Sequence, residues 1–342
     1  MNTAFYSEIK AQPEALLQTI DAYAADGYRL LHQAAEMIKA APAVMMSGMG
    51  TSYNVCLSVQ GELGKAGRVS AVQSYQLLQD GLAGLRNGDL LILISQSGES
   101  GEIVELCRRC KGKNKIIGIS NNMCSTLTGG ADLVLPLYSA EEKSITNSTF
   151  TASLAVLALL CACVNGDCVD RCAQRLRAGA GEAQRALISE KQVFDAADAF
   201  GLADRVHFIG RSGMEMALAE QAALIFKEGA DCNAQCFNVG AFRHGPIELC
   251  GKGHVGVLYA ADSESAEVMA ALGARMRQNG SHTLTITNCP AEGGSLRVNC
   301  GSAEGFAAAA AVITEMLTVR AARNRGKEAG VFRISGKICR EI

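Results

Sequence analysis

The chain has no tryptophan, only five prolines and five histidines, and aromatic residues make up just 5% of it. A core so poor in rings has to be built from Ala, Val, Ile and Leu, the usual filling of helices laid on a buried sheet. Neither sign of charge dominates: the net charge is −2, and no basic tract interleaved with aromatics occurs, which argues against nucleic acid as a partner. The longest apolar run, Leu154 to Val164, falls short of the roughly 20 residues a bilayer-spanning helix needs, so it is expected as a buried helix. The opening stretch MNTAFYSEIKAQPEAL lacks the apolar centre of a secretory signal, so a cytoplasmic protein without membrane contact is expected. Its fourteen cysteines then read as reduced thiols rather than a disulfide framework. Cys107-x-x-Cys110, Cys161-x-Cys163, Cys168-x-x-x-Cys172 and Cys232-x-x-x-Cys236 have no second CxxC or His at zinc-site separation, so no structural metal is expected. Gly48-Met49-Gly50 is likewise too little for a dinucleotide fingerprint, which needs an acidic residue after the second strand, and no cofactor is expected.

What the sequence does contain, it states twice. At 342 residues the chain exceeds the size of a single core. AVMMSGMGTSYNVCLSVQGELGKAG (43–67) is an apolar strand, a Gly-rich turn and a helix-period stretch. RVHFIGRSGMEMALAEQAALIFKEG (205–229) repeats that plan, with Gly48 matched by Gly210. Second strands are expected at Leu90–Ile94 and His254–Tyr259, and third strands at Lys115–Ile119 and His282–Ile286. Strands alternating with helical patterns predict βαβ units and parallel sheets buried on both faces. The expected architecture is α/β: two tandem three-layer αβα sandwiches, residues 41–175 and 185–325, joined where the sequence turns polar between 165 and 185. Helices over residues 1–40 precede them, and a tail over 326–342 follows.

One short stretch asks for a function. In LLILISQSGESGEI (90–103), five apolar residues run into Ser95, Gln96, Ser97, Gly98, Glu99 and Ser100. The cluster lies beyond the carboxyl end of a predicted parallel strand, where open α/β sheets bind ligands. It also precedes a predicted helix over Gly101–Lys111, whose N-terminus offers free N–H groups and partial positive charge. Hydroxyls and small residues there can close around a phosphate without a lysine. The matching place in the second repeat reads AADSES, with Asp262 and Glu264, and carboxylates repel an anion. Phosphate is therefore expected in the first half only.

GMGTS (48–52), SQSGES (95–100), KSITNSTFT (143–151), KEGADCNAQCFNVGAFRHGP (227–246) and the terminal RISGKICREI together resemble the double sugar-isomerase (SIS) domain proteins. That family holds the isomerase domain of glucosamine-6-phosphate synthase, fructosamine-6-phosphate deglycases and phosphosugar ketose–aldose isomerases. The resemblance implies that Gly50, Thr51, Ser52, Ser95, Gln96, Ser97 and Ser100 surround a sugar phosphate and that Ser144 and Thr146 touch the sugar body. It implies that Glu228 moves a proton between C1 and C2, that His244 opens the sugar ring and that Lys337 folds over the substrate with the tail. In the family His244 comes from the neighbouring subunit, so a homodimer with shared active sites, or a higher assembly, is implied.

Read on their own residues, Glu228 is a solvated carboxylate ending the helical stretch Met214–Lys227, and Lys337 a surface lysine in an apolar–polar tail. His244 lies in a Gly- and Pro-bounded loop, where an imidazole can give and take a proton near neutrality. Three departures from the synthase stand out: Ile225 for a lysine, Ala241 for a glutamate, and Asn147-Ser148 for Thr-Lys. The synthase's glutaminase domain has no counterpart, so use of glutamine nitrogen is not expected. The expected function is an enzyme acting at C1–C2 of a 6-phosphorylated amino sugar or sugar–amine conjugate, as a deglycase or deaminase. A ketose–aldose phosphosugar isomerase and a non-catalytic sugar-phosphate sensor are the alternatives.

Overall fold

The computed structural model describes residues 3–198, 200, 203, 205–290, 295–334 and 336–342. Two helices open the chain, α1 (Ala4–Ala22) and α2 (Tyr28–Ala40). The first α/β unit follows as β1 (Val44–Gly48), α3 (Thr51–Gly64), β2 (Val69–Gln73), the single turn α4 (Ser74–Gln76), β3 (Leu90–Ile94), α5 (Gly101–Cys110), β4 (Lys115–Ser120), α6 (Thr126–Gly130) and β5 (Leu133–Pro136). Three helices connect it to the second unit: α7 (Ser148–Asn165), α8 (Val169–Ile188) and α9 (Glu190–Asp198). The second unit contains β6 (Arg205–Gly210), α10 (Gly213–Ala230), β7 (Ala234–Asn238), α11 (Val239–Arg243), β8 (His254–Ala260), α12 (Ser263–Gln278), β9 (His282–Thr287), β10 (Ser295–Arg297) and α13 (Ala303–Asn324).

Both sheets are five-stranded and parallel, and their orders correspond: β2-β1-β3-β4-β5 and β7-β6-β8-β9-β10. This is the duplicated α/β architecture expected from the sequence. Period-2 alternation divides each strand between two cores. Leu90, Ile92 and Ile94 face the main core, while Leu91 and Leu93 pack with Ile103, Leu106 and Leu127 on the outer side. The second sheet does the same, with Val255 and Val257 inward and Leu258 outward against Met269 and Leu272.

The polar stretch expected as a joint is helical, because α8 runs through it. Its buried Cys172, Ala173, Leu176, Ala180 and Ala183 recur at helical spacing, so the intervening polar residues are the solvent side of an amphipathic helix packed on α13. Leu154–Val164 lies inside α7, which is apolar nearly all round and buried. By length and composition alone α7 and α13 could each cross a membrane, yet each is 94% buried within the fold.

Two glycines set the geometry between strand and helix in each half. A Cβ on Gly48 would lie 2.6 Å from the Ser52 backbone, and one on Gly210 would lie 2.5 Å from the Glu215 carbonyl. Only glycine lets each helix start so close to its strand. Helices α3 and α10 then pack on each other across the two halves. Gly50, ahead of α3, sits against Leu224 late in α10, and Gly213, at the start of α10, sits against Ser58. The packing is therefore antiparallel, and each half's strand-end cleft receives residues from the other half's helix.

Candidate active site

The cleft at the carboxyl ends of β1 and β3 is a cavity of about 270 Å³. Its floor is Met49, Gly50, Thr51 and Ser52 at the start of α3, with Ser95, Gln96, Ser97 and Ser100 ahead of α5. Leu224 and Glu228 reach it from α10, Thr146 from just before α7, Thr149 and Ser153 from the start of α7, and Phe332, Lys337 and Cys339 from the tail.

The serine hydroxyls are fixed to the backbone through their oxygens. Ser95 Oγ accepts the Gly98 N–H at 3.1 Å, and Ser97 Oγ accepts the Glu99 N–H at 3.2 Å. A hydroxyl has a single hydrogen and two lone pairs, so with one lone pair bonded to the backbone each still has a hydrogen it can donate. Ser100 Oγ lies 3.4 Å from Ser95 Oγ and shares the cluster.

The second half serves as an internal control. There Glu215, 3% exposed, accepts the N–H of Arg211 at 2.9 Å and of Ala261 at 2.7 Å. The fold thus already holds a carboxylate between the two strand ends, although burial pushes that carboxyl above its ordinary value. By repeat spacing the corresponding residues of the first half are Met49 and Gln96, and Tyr53 replaces Glu215. The Met49 and Gln96 N–H groups therefore have no hydrogen-bond partner among the described residues. The second cleft, about 500 Å³, is lined by opposed charges, among them Arg171, Arg175, Arg211, Asp262 and Glu304. Arg211 pairs with Glu264 at 2.9 Å there.

Glu228 lies inside the last turn of α10 rather than beyond its end, because the helix continues to Ala230 and stops at Asp231 in the left-handed region (φ 52°). Its carboxylate is exposed at the cavity, but the walls withhold enough solvent to raise its pKa. Lys337 and then Lys227 pull it partway back. Lys337 Nζ donates to the Ser144 carbonyl at 2.7 Å and to Glu142 at 3.3 Å. Glu142, whose side chain is 1% exposed, also takes the Asn147 and Thr149 N–H groups that open α7.

The tail is tied down along its length. Arg333 and Lys327 pair with Asp231 at 2.7 and 3.2 Å, and the Cys339 carbonyl accepts the Gly101 N–H, the first of α5, at 3.2 Å.

Of the residues singled out in the sequence, Gly50, Thr51, Ser52, Ser95, Gln96, Ser97, Ser100, Thr146, Glu228 and Lys337 meet in this cavity. Ser144 is buried behind it, hydrogen-bonded to Glu8 and offering its carbonyl to Lys337. His244 is exposed after α11 and is not among the cavity residues of its own chain. Of the departures, Ile225 packs in the main core, Ala241 is exposed on α11, and Asn147 and Ser148 are buried. Gln221, Leu224, Glu142 and the tail's Phe332 and Cys339 escaped the sequence reading. Stepping back from Glu228 by four and seven residues along α10 finds Leu224 and Gln221 on one helical face; nothing comparable marks Glu142.

The chain is similar to known proteins over most of its length. The chain is 30% identical over 276 residues to an isomerizing glutamine–fructose-6-phosphate aminotransferase of Aeropyrum pernix, covering 77% of this chain and 44% of that protein. It is 27% identical over 323 residues to that of Acidithiobacillus ferridurans, covering 89% and 50%. The chain thus spans about half the length of these curated relatives. Among solved structures, the C-terminal domain of glucosamine-fructose-6-phosphate aminotransferase from Francisella tularensis superposes with a TM-score of 0.86 at 22% identity, covering 96% of this chain and 98% of that one. Glucosamine-6-phosphate deaminase from Thermotoga maritima gives 0.81 at 21%, covering 98% and 99%. Tagatose-6-phosphate ketose/aldose isomerase from Escherichia coli gives 0.84 at 19%, covering 97% and 96%. The SIS domain model matches residues 37–162, which hold the first parallel sheet, and again 202–294, which hold β6 to β9 of the second, and the chain belongs to the SIS domain family.

Proposed function

We propose that the chain is an enzyme acting at C1–C2 of a 6-phosphorylated amino sugar or sugar–amine conjugate, as a deglycase or deaminase. The observation that carries this is the pairing of a neutral donor cradle with a carboxylate across one cavity. Ser95, Ser97, Ser100 and the N–H groups of Met49 and Gln96, which have no partner among the described residues, suit a phosphate, and the carboxylate that Glu215 supplies in the second half supports an anion at that position. Glu228 and Lys337 line the same cavity, and in this reading they face C1 and C2 of the six-carbon chain.

In the reaction, Glu228 takes a proton from C1 of the open-chain ketoamine, and the C1 electron pair forms the enaminol. Return of a proton at C2 leaves a C1=N imine, and water adds to C1 and expels the amine, giving an aldose 6-phosphate. Lys337 offers its charge to the oxygen on C2 as negative charge builds there. A raised pKa suits Glu228 to this role, because a base works best when it titrates near the working pH. His244 opens the ring from a second copy of the chain, so the active form is a homodimer. Loss of a free amine from fructosamine 6-phosphate or glucosamine 6-phosphate, followed by NMR, tests the reading; no release from either removes it.

A second reading is a ketose–aldose isomerase, supported by the fold shared with the tagatose-6-phosphate enzyme. The same residues would move a proton between C1 and C2 with oxygen in place of nitrogen. Solvent deuterium entering C2 of a plain hexose 6-phosphate selects it. A sensor without turnover would bind the same phosphate and has no use for Glu228 facing it.

A further inference from the structure

We infer that Gln221 is a positioning residue that fixes the hydrogen-bond polarity of the cavity floor at the start of α3 by committing the hydroxyl hydrogen of Thr51. This rests on the phosphosugar reading above and adds to it which part of the substrate Thr51 recognises: a sugar hydroxyl, not the phosphate.

Gln221 is 3% exposed and lies where α10 meets α3. Its Nε2 donates to the Thr146 carbonyl at 3.4 Å. A carbonyl only accepts, so the amide nitrogen must face Thr146 and the amide oxygen must face the other way. That oxygen accepts Thr51 Oγ1 at 2.8 Å and Asn54 Nδ2 at 3.2 Å. An amide oxygen carries no hydrogen, so Thr51 is the donor and its single hydrogen is spent on Gln221. Towards the cavity Thr51 then presents only lone pairs. Lone pairs repel a phosphate oxygen and attract a hydroxyl hydrogen. Ser95 and Ser97 differ: each spends one lone pair on a backbone N–H group and keeps a hydrogen that can be donated, Ser95 also lying 3.4 Å from Ser100 Oγ, where either hydroxyl can be the donor. One cavity floor therefore holds hydroxyls able to donate and a hydroxyl that only accepts, and the accepting one depends on a residue that does not line the cavity.

The test uses two probes on the full chain by calorimetry: orthophosphate, which has only the anion, and glucitol 6-phosphate, which adds open-chain hydroxyls. Thr51→Val is expected to weaken glucitol 6-phosphate about tenfold, the worth of one net hydrogen bond, and to change orthophosphate by less than about twofold. Thr51→Ser keeps both affinities. Gln221→Leu, which frees the Thr51 hydrogen, loses the same tenfold. The double variant Thr51→Val/Gln221→Leu is no weaker than either single, a non-additivity that a purely structural Gln221 would not give. If Gln221→Leu does not fold, the Thr51 pair decides. Equal weakening of both probes by Thr51→Val makes Thr51 a phosphate donor and overturns the inference, as does an additive double variant. Binding of neither probe by the unaltered chain removes the phosphosugar reading, and this inference with it.

Discussion

Gly101→Ala tests whether the tail is held over the cavity by the first N–H of α5. A Cβ at this position would lie 2.6 Å from the Arg340 carbonyl oxygen and 3.0 Å from that of Glu341, closer than a side-chain carbon can approach, so the tail must move. The helix itself gains from the change, because alanine is the better helix former. What is lost is the 3.2 Å bond from Gly101 N–H to the Cys339 carbonyl, worth about 1 kcal/mol net. The pairs of Arg333 and Lys327 with Asp231 are exposed and contribute little to holding the tail. Loss of about 1 kcal/mol lowers the docking equilibrium constant, and so raises the open population of a mostly docked tail, roughly fivefold. Limited trypsinolysis, read by mass spectrometry at Lys337 and Arg340, follows the open population when closing is fast, so tail cleavage should accelerate about fivefold. The thermal midpoint of the core should barely change. Unchanged tail cleavage would refute the reasoning, and so would a collapse of the midpoint, which would make Gly101 a residue of the fold rather than of the tail.

Glu228→Gln should lower turnover by about 10²–10⁴, the usual worth of a general base, while the affinity for orthophosphate stays unchanged; titration of both variants checks this. Because Glu228 must be ionised to act and its pKa is raised, kcat/KM should fall with decreasing pH at a limb above the ordinary carboxylate value, and a limb at or below that value would contradict the assignment. The buried pair His207–His254, joined at 3.0 Å, is pushed down to about 4 on both rings by burial. The unfolded chain therefore binds more protons between about pH 6.5 and 4, so the pair's contribution to stability is complete above that window and is lost as pH falls through it. Thermal unfolding across that range should show the slope, and His207→Phe/His254→Leu should flatten it. Leu157→Ala, at a fully buried position of α7, should cost about 2–5 kcal/mol by urea denaturation.

The six strands legible in the sequence, β1, β3, β4, β6, β8 and β9, are the interior strands of the two sheets, and the four it did not reveal, β2, β5, β7 and β10, are their edges. Interior strands are covered on both faces and read as apolar runs such as Leu90–Ile94; an edge strand such as Val69–Gln73 is only half-covered and carries Ser70 and Gln73. The cradle was legible for a related reason, since a hydroxyl cluster at the end of an interior strand has few purely structural uses. Glu142 and Gln221 were not, because each acts on a residue distant in sequence, Lys337 and Thr51, and only the packing of α7, α10 and the tail brings the partners together.

The most direct measurement is a crystal structure of the chain soaked with a hexose 6-phosphate. The account predicts the anion against Ser95, Ser97 and the Met49 and Gln96 N–H groups, with C1 and C2 turned towards Glu228. An anion lodged instead beside Glu215 in the second cleft, or a sugar lying with its phosphate against Glu228, would contradict it.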